Sequence, residues 1–112
     1  MTRPKQGLDA HIIEELVRRI VEAVHPERVF LFGSRALGDA RPESDIDLLV
    51  IAHSTQPRYR RSSVLYEALS DIITPMDILV YTPEEVEEWS QVPQAFITTA
   101  VREGKVLYEK QN

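Results

Sequence analysis

Cysteine is absent from the 112 residues, which excludes disulfide bonds and thiolate metal sites. No apolar run approaches the roughly 18 residues that a membrane span needs, and the N-terminus lacks a signal-peptide pattern, so a cytoplasmic protein without a membrane anchor is expected. Basic residues are in deficit, with 13 Lys and Arg against 18 Asp and Glu for a net charge of −5. That sign works against a nonspecific grip on nucleic acid, which depends on Lys and Arg displacing counterions from phosphates, so an extended polynucleotide is a poor substrate. The same acidity suits a basic protein partner, since opposite surfaces steer one another together. Repeats, low-complexity tracts and dividing linkers are also missing, so residues 1–112 are expected to form a single domain. A chain of this size hides about two thirds of its unfolded surface, enough for one core.

Apolar periodicity supplies the elements. Leu8, Ile12, Ile13, Leu16, Val17, Ile20, Val21 and Val24 recur at helical spacing over residues 8–24 and stop at His25-Pro26. Val29-Phe30-Leu31-Phe32 is an unbroken apolar run that suits a buried strand. A second strand spans 45–51 and a third begins at Met76-Asp77-Ile78-Leu79-Val80-Tyr81. Between them, Val64, Leu65, Ala68, Leu69 and Ile72 predict a helix over 60–73. Thr82-Pro83-Glu84-Glu85 is a capping box with Pro at the first helical position. Phe96, Ile97, Ala100 and Val101 predict a helix over 94–103 that Gly104 ends, and 105–109 is a last strand. The fold class is α/β, a small mixed β-sheet packed by helices on one or both sides.

The chemistry concentrates between residues 33 and 47. Gly33, lacking a Cβ, ends the first apolar strand where backbone can approach a ligand, and a short helix is predicted after it. A triphosphate there would meet free N–H groups, the positive end of the helix dipole and the Ser34 hydroxyl. Ten residues later comes Asp45-Ile46-Asp47. Alternation along a strand puts Asp45 and Asp47 on one side, about 7 Å apart. Two like charges on a partly buried sheet repel, so the pair makes sense mainly with divalent cations. Oxygen ligands without Cys or His in the motif favour Mg²⁺ or Mn²⁺ over zinc. A third acid to hold a second ion and take a proton is found in Asp77, provided its strand lies beside 45–51 with Asp77 level with Asp47. Such a site is expected at a sheet edge, on the open face.

Gly33-Ser34, ten intervening residues and Asp45-x-Asp47 resemble the signature of the polymerase-β superfamily of nucleotidyltransferases, and specifically its small prokaryotic branch, the minimal nucleotidyltransferases. The spacing matches without departure, Asp77 stands in the place of the third acid, and the resemblance runs from the helix before Val29 to Gly104–Tyr108. It implies a polymerase-β-like fold and transfer of AMP from ATP with loss of pyrophosphate, helped by two Mg²⁺ ions. It further implies an antitoxin role beside a HEPN-type ribonuclease toxin, silenced by AMP added to one of its tyrosines. Larger relatives carry a second domain that binds the acceptor. None is visible here, so the acceptor surface is expected from a protein substrate or from a homo-oligomer that builds a pocket between subunits.

Plainer roles compete at several positions. Arg35 contacts phosphate oxygens or is a solvated helix residue. Arg58, Arg60 and Arg61 open a helix where cations oppose the dipole, and a solvated turn is favoured over an anionic partner. His11, His25 and His53 are expected in structural or surface roles, and Trp89 as a core or interface anchor. Two rival functions remain beside protein AMPylation: transfer to a small molecule such as an aminoglycoside, and a non-catalytic antitoxin that inhibits by binding.

Overall fold

A computed structural model describes residues 5–32 and 46–111, with side chains from residue 10 onward. The first helix, α1 (Lys5–Val24), starts three residues before the predicted position and buries Leu16 and Ile20 completely. Each such side chain contributes roughly 1.5–3 kcal/mol by leaving water. It stops where expected: His25 takes φ 47°, in the left-handed region, and its N–H donates to the Val21 carbonyl at 3.0 Å. Pro26 follows, and the next turn cannot form.

Among the described residues there follow β1 (Arg28–Phe32), β2 (Ile46–Ile51), α2 (Arg58–Ala68), β3 (Met76–Tyr81), α3 (Pro83–Trp89), α4 (Phe96–Glu103) and β4 (Lys105–Glu109). The sheet order is β3-β2-β1-β4. β1 runs antiparallel to both β2 and β4, while β2 and β3 are parallel, as a strand–helix–strand unit requires. The sheet is therefore mixed, as expected from the order of elements.

Helices cover both faces. On one, Val29, Leu31, Leu48, Val50, Ile78 and Val80 meet Leu16 and Ile20 of α1 and Leu65 and Leu69 beside α2. On the other, Phe30, Leu49, Ile51 and Tyr81 meet Ile97 and Ala100 of α4. Near-continuous burial along β2 follows from this two-sided cover, and it explains why that strand is apolar without alternation.

Two predicted features shift. α2 ends at Ala68 instead of reaching residue 73, because Arg19 of α1 donates to the Ala68 carbonyl and to the Asp71 carboxylate, and the residue before Pro75 disfavours helix. Val64, expected on the apolar stripe, is exposed. Gly104 does end α4, but with φ −73° its value lies elsewhere. A Cβ there would stand 2.5 Å from the Ala100 oxygen and 3.2 Å from the Leu31 oxygen, so only glycine lets the helix end lie against β1.

The outer edge of β3 is closed by side chains from α2. The Ile78 N–H donates to the Tyr66 hydroxyl at 2.8 Å, and Arg61 donates to the Val80 carbonyl at 3.3 Å. Such cover blunts a strand edge that would otherwise template pairing with another chain. Among the described residues no helix is long and apolar enough to cross a membrane.

Candidate active site

β1 finishes at the end of the sheet where β2 and β3 begin. Phe32, the last residue of β1, lies opposite Asp47, and Asp47 lies opposite Asp77 on β3. The two aspartates are thus level on adjacent parallel strands. Both belong to the face shared by Leu49, Ile51, Leu79 and Tyr81, because side chains two apart along a strand point the same way. Asp47 is half-buried and Asp77 exposed.

Neighbouring strands lie about 4.8 Å apart, and a hard divalent ion binds oxygen at about 2.1 Å, so carboxylates from both strands could hold one ion between them. The oxygen-only donor pair suits Mg²⁺ or Mn²⁺. The described residues bring together Asp47 and Asp77. Gly33, Ser34, Arg35 and Asp45, together with the short helix predicted after Gly33, lie outside the described residues. Their flanking neighbours Phe32 and Ile46 both stand at this end of the sheet.

Placement differs in one respect from the sequence expectation of a sheet edge. β2 is an inner strand with β1 and β3 on either side, so Asp47 sits at the head of the sheet and only Asp77 occupies an edge strand. The face is also not bare, since α4 covers its β1 portion. Phe96, half exposed on α4, meets the Phe32 ring edge-on with centroids 5.3 Å apart.

Of the arginines that open α2, Arg58 and Arg60 are exposed, as a solvated turn would have them, but Arg61 is not. Arg61 keeps only 10% of its side chain exposed and forks onto both Glu85 oxygens at 2.6 and 3.2 Å, while its Nε donates to the Gln56 carbonyl at 2.8 Å. This guanidinium holds the Glu85 carboxyl below the usual glutamate range. Arg58 stacks 4.7 Å from the Tyr81 ring centre and donates to its hydroxyl at 3.0 Å. The acid that explains both the cap and the pairing is Glu85: it accepts from the Thr82 N–H and completes the predicted capping box while neutralising Arg61. Sequence showed the cap, but nothing in the spacing of 58–61 and 85 told of the ion pair.

Among the described residues no histidine joins Asp47 and Asp77 in a group that could hold a metal. His53 is exposed and contacts Glu27 at 2.9 Å, and His11 is exposed on α1. Trp89 is 40% exposed, so it is not a core residue. One contact went unseen in the sequence: Tyr66, whose hydroxyl holds the Ile78 N–H, also lies 3.5 Å from Asp77 Oδ1. A tyrosine on the polar side of a helix carries no pattern that would announce it.

Paired carboxylates heading adjacent strands of a small mixed sheet are the frame of a nucleotidyltransferase fold. Residues 14–112 match the family Polymerase beta, Nucleotidyltransferase, and the chain belongs to that family. It is 28% identical over 74 residues to a spectinomycin 9-adenylyltransferase of Staphylococcus aureus, an alignment covering 59% of this chain and 28% of that protein's length. The fold is similar to a toxin–antitoxin crystal structure with AMP-PNP, at a TM-score of 0.62 and 20% identity over 88% of this chain and 74% of the other. It is also similar to a candidate nucleotidyltransferase from Sulfolobus solfataricus, at a TM-score of 0.61 and 24% identity over 98% of this chain and 93% of the other.

Proposed function

We propose that the protein transfers AMP from ATP to a hydroxyl acceptor, a tyrosine of a HEPN-type ribonuclease toxin, and so acts as its antitoxin. The observation that carries the reading is the level pairing of Asp47 and Asp77 at the end of the sheet where β1 leads into Gly33-Ser34. Asp45 and Asp47 would hold the metal of the nucleotide and Asp77 a second ion, and Asp77 takes the proton of the attacking hydroxyl. Divalent ions bound there neutralise charge that builds on the α-phosphate. Gly33 and Ser34 hold the β and γ phosphates, with Arg35 contacting phosphate oxygens, so that pyrophosphate leaves opposite the incoming oxygen. The hydroxyl forms a new O–P bond at the α-phosphorus as the bond to the bridging oxygen breaks.

A protein acceptor is supported by the toxin–antitoxin structure among the similar folds. A second reading, transfer to a small molecule, is favoured by the likeness to the spectinomycin enzyme, of which this chain spans about a quarter. Incubation with α-labelled ATP, Mg²⁺ and the protein encoded beside this one separates the cases. Label on that protein, lost with Asp47→Ala, supports AMPylation; label on an aminocyclitol antibiotic supports the second reading. Tight complex formation without label leaves a binding-only antitoxin.

A further inference from the structure

We propose that Tyr66 is a positioning residue for Asp77, holding the third carboxylate in the orientation that meets the metal. The inference rests on the reading of Asp77 as a ligand and adds a residue from α2 to that site. Its basis is the way one hydroxyl serves two neighbours. The Ile78 N–H, on the free edge of β3, donates to the Tyr66 oxygen at 2.8 Å, a firm bond that fixes where the phenol sits. While the oxygen accepts from Ile78, the hydroxyl proton is free to be donated elsewhere, and Asp77 Oδ1 is its acceptor at 3.5 Å. That second contact is at the outer limit for a hydrogen bond, so it contributes direction more than strength.

Asp77 needs such a guide more than Asp47 does. It is exposed, it lies on an edge strand, and the strand β2 supports it on one side only. An exposed aspartate samples several rotamers, and a ligand that must be ordered on binding binds its ion less tightly. Tethering one oxygen to Tyr66 leaves the other for the ion, which is how carboxylate ligands are held by outer hydrogen bonds at metal sites in general. The bland alternative is that Tyr66 merely closes the strand edge, as Arg61 does at Val80.

The experiment measures Mn²⁺ binding by paramagnetic resonance, in the presence of an ATP analogue that cannot be cleaved between its α and β phosphates. Wild type is compared with Tyr66→Phe, Asp77→Asn and Arg61→Gln, each checked for folding by circular dichroism. Tyr66→Phe keeps the ring and removes only the hydroxyl; it is expected to weaken Mn²⁺ binding about three- to tenfold, within the range by which outer-shell partners tune metal sites. Arg61→Gln, which removes the other edge contact together with the Glu85 pair, is expected to lower stability but to leave the Mn²⁺ affinity of the folded protein as in wild type. Unchanged affinity in Tyr66→Phe, or an equal loss in Arg61→Gln, overturns the positioning role. Tyr66→Met also lacks the hydroxyl and must give the same shift, which keeps the test valid if Tyr66→Phe does not fold. Asp77→Asn separates the two levels: if it leaves Mn²⁺ binding intact, Asp77 is no ligand and the underlying site reading fails, whereas a loss there with no change in Tyr66→Phe sinks the positioning role alone.

Discussion

Replacing Arg61 by alanine tests whether an ion pair between α2 and α3 braces the strand that carries Asp77. The side chain is nine-tenths hidden, and the substitution removes two bonds to Glu85, one to the Gln56 carbonyl and one to the Val80 carbonyl. Breaking a fully buried pair costs about 3–5 kcal/mol, because the partner is left charged and unmatched. Glu85 retains 26% exposure and turns partly to water, which lowers the expected loss to about 2–3 kcal/mol. Unfolding entropy near 2.1 cal/mol/K per residue over 112 residues converts this to a fall in Tm of about 10 °C. The pH dependence has a definite sign. Arg61 depresses the Glu85 carboxyl, so the stabilisation is present above the unfolded glutamate value, about 4.3, and is lost as pH falls through the folded value. Urea unfolding at pH 7 and again near pH 3 should therefore show a wide gap between wild type and variant that narrows in acid. A deficit below about 0.5 kcal/mol at pH 7, or one that does not change with pH, refutes the pairing as a stabilising contact.

Other outcomes follow from the same contacts. Asp47→Ala should lower nucleotidyl transfer by about a thousandfold or more, with circular dichroism unchanged, because in the proposed mechanism it removes a metal ligand at the reacting phosphate; transfer at the wild-type rate removes Asp47 from the site. Gly104→Ala should cost about 2 kcal/mol or more, since its Cβ would lie 2.5 Å from a backbone oxygen that cannot rotate away. A thermal scan showing no loss would mean that α4 does not lie against β1 as described.

Much of this architecture was legible because it depends on local chemistry. The capping box at Thr82 with Pro at position 83, and the glycine after α4, each mark an element end through a backbone requirement, and the structure has both ends at their predicted places. Apolar periodicity located α1 and the strands for the same reason. Pairwise geometry across the chain was less visible. Nothing in the sequence near Arg19 announces Asp71, which shortens α2, or joins Arg61 to Glu85, because such partners are chosen by where the helices cross. Asp77 was legible as an acid at a strand start, but its level with Asp47 became a fact only with the β2–β3 register.

That register is fixed by packing, and the aspartates ride on it. From Ile46 opposite Met76 to Ile51 opposite Tyr81, each β2 residue meets the one thirty positions later. Ile78 and Val80 are almost wholly buried against Leu65 and Leu69, so a slip of one residue would turn Asp77 into that apolar layer and push Ile78 out. Burying an unpaired carboxylate there costs far more than any strand contact returns. The Ile46 N–H also donates to the Pro75 carbonyl at 3.0 Å, which sets the start of β3 at the level of β2. Proline needs no ladder partner for its nitrogen and suits the position just before the strand. Hydrophobic patterning alone therefore holds two carboxylates side by side, and the level of the candidate site is specified by residues that never touch a ligand. Deleting Ile78, between Asp77 and the buried Val80, should move Asp77 out of line with Asp47 and weaken Mn²⁺ binding, whereas an insertion between Ser70 and Asp71, in the turn after α2, should leave it intact.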